Sequence, residues 1–171
     1  MSWRAAILFA AGFVLAACGG GNDNRIACPD VEVLRDLSEV TRFNPGPGRD
    51  PTDVLLEAWV ERVNGTCLLD DEDLIVDLTV RILTRRGPAN RAEGAEIPYF
   101  VAVTDGQRNV LSRQTFTTNA AYVSRKSISF EDVLTLSIPL VPGMATDSFL
   151  IYVGLELSEN ELRHNRSKSS R

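Results

Sequence analysis

The side chains able to do chemistry are few and scattered along the chain. The one histidine, His164, stands in a polar C-terminal stretch, the setting of a solvated imidazole. Ser-His-Asp and Cys-His hydrolysis and histidine-based metal sites all need an imidazole held in a shaped pocket. Asp70, Asp71, Glu72 and Asp73 form the densest acidic run. A calcium ion takes about six to eight oxygens from alternating loop positions, whereas adjacent acids cannot all turn to one ion. The run therefore reads as a solvated loop between two strands. No pair of carboxylates is set by spacing alone in a glycosidase geometry. Gly46 and Gly48 alternate with prolines, which lack the N–H groups that cradle a phosphate. The three cysteines, Cys18, Cys28 and Cys67, form no Cys-x-x-Cys pair and have no adjacent Lys or His to depress a thiol pKa. No catalytic residue, metal ligand or cofactor-binding residue is assigned on this reading.

The N-terminus carries a different kind of information. Met1-Ser2-Trp3-Arg4 bears one positive charge, and residues 5–17 are apolar apart from Gly12. Such a run makes about 20 Å of helix, short of the ~30 Å hydrocarbon core. A charged start, a short apolar middle and small residues at the end describe a signal peptide. Leu15-Ala16-Ala17-Cys18, followed by Gly19, resembles the lipobox of bacterial lipoproteins. That resemblance implies removal of residues 1–17, diacylglycerol on the Cys18 thiol and acylation of the new amine. Gly19 in place of Asp implies the outer membrane rather than retention in the inner one. Two or three acyl chains hold a protein stably, since each buried CH₂ contributes about 0.8 kcal/mol.

With Cys18 carrying lipid, Cys28 and Cys67 remain. An even number of cysteines in an oxidising envelope favours a disulfide. The midpoint between them falls at Pro47-Gly48, inside a turn of three prolines and two glycines (residues 44–51). Two arms of equal length leaving a turn meet at their far ends, as in a long hairpin. The sequence thus predicts a Cys28–Cys67 bond.

Four segments follow. Residues 1–17 form the signal peptide and 18–27 a lipidated tether of Gly, Asn and charge. Residues 28–158 form the folded domain, and 159–171 a polar tail with one helical turn over 159–164. Residues 31–43 fit a helix or an irregular edge strand. Val54, Leu56, Ala58 and Val60 alternate with Leu55, Glu57, Trp59 and Glu61, the period of a half-buried strand, with Asn64-Gly65 as its end. Trp59 lies on the face opposite the aliphatic row; core packing against a second sheet is its expected role, and a partly exposed contact is the other. Leu74, Val76, Leu78, Val80 and Ile82 mark the cleanest strand. Residues 97–104 are apolar on both faces, so both are expected to be covered. Asp105-Gly106 turns the chain into a partner strand over 110–117. Strands end the domain around Leu134–Leu140 and over 149–157. Strands joined by turns imply an all-β, antiparallel two-layer β-sandwich, immunoglobulin- or fibronectin-like. Its predicted core includes Val54, Leu56, Leu78, Val80, Phe100, Leu136, Ile138, Ile151 and Val153.

Without Arg4 the chain has 17 basic against 23 acidic residues, a formal net charge of −6. That disfavours nucleic acid as a partner. The acylated cysteine, the paired cysteines around a Pro/Gly turn, and the closing stretch Tyr152-Val153-Gly154-Leu155 to Glu161-Leu162 with Asn165-Arg166 look similar to small alphaproteobacterial outer-membrane lipoproteins. The resemblance implies an envelope location and supplies no reaction. The expected role is non-enzymatic: a lipid-anchored β-sandwich offering surfaces or strand edges to an envelope protein, with residues 31–43 as the candidate edge. A small-molecule or lipid-binding module and a carboxylate-based enzyme are the alternatives.

Overall fold

A computed structural model describes residues 26–122 and 126–169. Cys18 and the lipobox lie outside the described residues. Eight strands make two four-stranded sheets that face each other across an apolar core. One sheet has the order β1 (Asp30–Val33), β8 (Leu150–Leu155), β5 (Gly94–Thr104), β6 (Val110–Ala121). The other runs β2 (Glu39–Phe43), β3 (Val54–Asp70), β4 (Asp73–Arg86), β7 (Ser127–Pro139). Every pairing is antiparallel except β1 with β8. The architecture is the expected all-β sandwich, with a three-strand meander, β2-β3-β4, in place of the ABED order of an immunoglobulin constant domain.

Alternation dictates what is inside. Leu74, Val76, Leu78, Val80 and Ile82 of β4 are all buried, and across the sandwich so are Ile97, Tyr99, Val101 and Val103 of β5. All nine predicted core residues are buried. Val54 and Phe100 lie outside the central cluster: Val54 opens β3 at the margin of the core, and Phe100 belongs to the outward face of β5.

The Asn64-Gly65 strand end is not observed: β3 continues for 17 residues, to Asp70. Its register slips between Val60 and Arg62, and a bulge of one residue exchanges the two faces of everything beyond it. Leu56 and Ala58 point inward before the bulge; Cys67 joins the core margin after it. Gly65 sits where a Cβ would come within 3.3 Å of Val31, so its role is close approach between sheets rather than a turn. The turn itself is the acidic run, with Asp70 opposite Asp73 and Asp71 in the left-handed region at φ 52°.

Cys28 and Cys67 form the predicted disulfide, with Cα atoms 5.7 Å apart. The hairpin argument holds for β2 and β3 only. Residues 31–43, read as one segment, divide at a 3-10 turn (Arg35–Leu37) that carries the chain from one sheet to the other. Because β1 joins β8, the disulfide ties the edge of one sheet to a central strand of the other.

The polar tail is also more than one turn. Helix α1 (Glu159–Ser169) starts at Ser158, whose N–H donates to the Glu161 carboxylate at 2.7 Å while its hydroxyl accepts from Glu161 N–H at 3.3 Å, a capping box. It docks along β2. Val60 N–H donates to Ser38 O, so the alternating ladder turns the Glu39 carbonyl away from β3. The buried Asn165 amide donates to that carbonyl at 2.7 Å and to Asp36 O at 2.9 Å. Lys168–Glu39 and Arg166–Asp36 ion pairs flank it.

Candidate functional site

The outward face of the β1-β8-β5-β6 sheet breaks the usual rule of polar outside and apolar inside. Register places Phe100 opposite Gly154, Ala102 opposite Tyr152 and Arg113, and Glu32 beside Tyr152. Gly154 allows this face to be roofed at one end: a Cβ there would stand 2.9 Å from Leu37 Cβ and 3.0 Å from the Phe100 ring. The Arg113 guanidinium lies over the Phe100 ring, 4.3 Å from its centroid, and is held by the Glu156 carboxylate, which also accepts from Thr115 at 3.0 Å. Beyond that roof the face opens into a groove of about 450 Å³. Leu34, Phe100, Ala102, Tyr152 and Val110 line it, with Glu32, Arg108 and Arg113 at its rim. Residues 99–104 are all buried, as expected for a strand covered on both faces; a loop and Arg113 cover the outward face at one end, and the groove runs along the rest.

A second hollow, about 280 Å³, lies between β2, the Pro/Gly turn and α1. Phe43 is its centre: Arg49 stands 5.3 Å from the ring centroid and His164 meets the ring edge-on at 5.4 Å. Arg42 Nε pairs with Glu161 at 3.1 Å. His164 is therefore half-buried as a packing residue of the helix, not solvated in a tail. Trp59 is not core. It stands half-buried on the outward face of the other sheet, opposite Leu83 and Glu39, with Arg85 5.5 Å from its ring centroid.

The remaining polar groups of note are structural. Tyr99, fully buried, donates its hydroxyl to Asp132 Oδ2 at 2.9 Å. Burial, then the hydrogen bond and charge of Asp132, hold that hydroxyl far above the usual tyrosine range. Burial likewise raises Tyr122, which shares a short hydrogen bond with Thr84. Asp105 accepts from Asn109 and Gln107 within the β5–β6 turn, and the Asn109 bonds hold its carboxyl below the ordinary range. The four acids at residues 70–73 surround a hairpin tip open to solvent. Among the described residues, no three His, Cys, Asp or Glu side chains converge as metal ligands, and no helix is long and apolar enough to cross a membrane.

No family model matches the chain, and no curated protein is significantly similar to it. Among solved structures, the variable (V) domain of the Streptococcus agalactiae AgI/II polypeptide BspA is similar over 75% of this chain and 78% of that one, at 12% identity and a TM-score of 0.22. At that score the likeness conveys neither fold nor function.

Residues 31–43 do supply an edge strand to each sheet, as expected, but neither offers a long free edge. Of residues 31–43, β1 offers four residues and β2 is shielded by α1. The long unpaired edges are β6 and β7. A capping box at Ser158–Glu161 was the sequence signal for α1; nothing in the pattern marked the pairing of Arg113 with Phe100.

Proposed function

We propose that this chain is a non-enzymatic cell-envelope lipoprotein, anchored through Cys18 in the outer membrane facing the periplasm, that presents its β-sandwich to a protein partner. The observation that carries the reading is the apolar outward face of the β1-β8-β5-β6 sheet. A solvated sheet face has no use for Phe100, Ala102, Leu34 and Tyr152 side by side; Phe100 and Ala102 are buried, and half-buried Leu34 and Tyr152 with exposed Val110 leave an apolar lining rimmed by polar groups, the character of an interaction site. The groove is open along its length, whereas a small-molecule site encloses most of its ligand. A flat or extended protein surface suits it better. Lipobox and tether supply the location.

Photo-crosslinking in intact envelopes tests this. A photoreactive residue at Tyr152 is expected to give one discrete adduct, and the same residue at Trp59 none. Equal labelling from both positions, or none from either, would contradict the reading.

A further inference from the structure

Seven large apolar side chains stand exposed among the described residues, and six of them gather at one end of the sandwich. Leu68 and Leu69 close β3, Val110 and Leu111 open β6, and Val141 and Met144 lie in the loop from β7 to β8, each between 42% and 63% exposed. Three links show that these loops share an end: Asp73 pairs with Pro139, Leu140 N–H donates to Glu72 O, and Thr104 pairs with Leu150. The seventh, Val133, faces out from the middle of β7, opposite Thr79.

The described chain enters at this same end. Thr146 donates to Ala27 O, Cys28 is bonded to Cys67, and Asp30 pairs with the start of β8. The step from Cys18 to Ile26 spans at most about 28 Å when fully extended. On the anchored reading above, which this inference rests on, the apolar end stays close to the membrane surface.

Charge selects the occupant. The end carries Asp30, the run at 70–73, Asp105 and Asp147, against Arg108 as its cation among the described residues. Carboxylates lose hydration on a lipid surface and are repelled by anionic headgroups. A basic protein surface satisfies them while covering the aliphatic groups. Val110 and Arg108 also line the groove, so the two apolar areas are continuous. We infer that the anchored end docks a protein resident at the same membrane, whose contact surface combines aliphatic side chains with Lys or Arg.

The test uses the mature lipidated protein in detergent and a fluorescent peptide of alternating Leu and Lys, with Ser/Lys and Leu/Glu peptides as controls. The Leu/Lys peptide is expected to bind, and at least tenfold more tightly than either control. Leu68→Asn with Val141→Asn should weaken it at least tenfold, and Leu69→Asn with Met144→Asn gives an independent second variant should the first not fold. Asp70→Asn with Asp71→Asn should weaken it and flatten its salt dependence, while Val133→Asn leaves it unchanged. Absence of binding, equal binding by the Ser/Lys peptide, or full binding by folded apolar variants overturns the inference. So does capture of the unlipidated Cys18→Ser protein by phosphatidylcholine vesicles without peptide binding, which would make this a lipid-seating face. Palmitate labelling of the same preparation reports the anchor separately. Lost label with retained peptide binding refutes the anchor and leaves the docking face standing.

Discussion

Tyr99 is enclosed by the core, yet its hydroxyl is aimed at the Asp132 carboxylate, and Phe116 stacks on its ring at 5.5 Å. A tyrosine whose folded pKa exceeds its unfolded value of about 10 stabilises the fold fully below that value. The contribution is lost as pH rises beyond it, because the unfolded chain gives up the proton first. Tyr122 is shifted the same way. Urea unfolding is therefore expected to show stability falling above about pH 10, and falling less steeply in Tyr99→Phe. An identical alkaline slope in the variant would remove Tyr99 from the account. The disulfide acts at the same scale. Intact-mass analysis after alkylation should find no free thiol at Cys28 or Cys67 until the protein is reduced. Closing a loop of sequence separation 39 corresponds to about 3 to 4 kcal/mol on chain-entropy grounds, the expected loss on reduction.

Among the elements, β4 is the centre of one sheet, and Leu78 on it is fully buried. Leu78→Ala should cost about 2 to 5 kcal/mol, read as a shift in the urea midpoint. Helix α1 has a different task, covering the β2 edge. Asn165→Ala removes both donors to Asp36 O and Glu39 O, and should cost about 1 to 3 kcal/mol. Hydrogen exchange should then quicken along α1 and β2 and remain slow in β4. These elements differ in how legible they were. β4 and β8 were plain in the sequence, because strict alternation has one solution when one face is buried. The extent of β3 was not, since a bulge reverses its parity after Val60 and makes Asn64-Gly65 look like a turn. β7 was seen only in its last third: Leu136 and Ile138 lie over the core, while Ser129, Glu131 and Val133 face solvent beside half-buried Phe130 and Asp132. Trp59 misled because large aromatics are usually core, and an arginine covering it leaves no mark in local spacing. The groove is half legible: the doubly apolar β5 shows that cover is needed, but which cover depends on Leu37 and Arg113, distant in sequence.

At the scale of the whole molecule the two ends are unlike. One end holds the Pro/Gly turn and the start of α1; the other gathers the disulfide, the acidic tip and most of the exposed apolar side chains. On the proposed function this polarity follows from the anchor, since the end nearest the membrane is the one a membrane-resident partner meets first. The anchor is thus the premise on which location, orientation and partner all depend. The direct measurement is incorporation of labelled palmitate by cells producing the wild-type chain and Cys18→Ser. The account predicts label and membrane association in the wild type, with both lost in the variant. Equal label in the two proteins, or a membrane-bound variant without label, would contradict it.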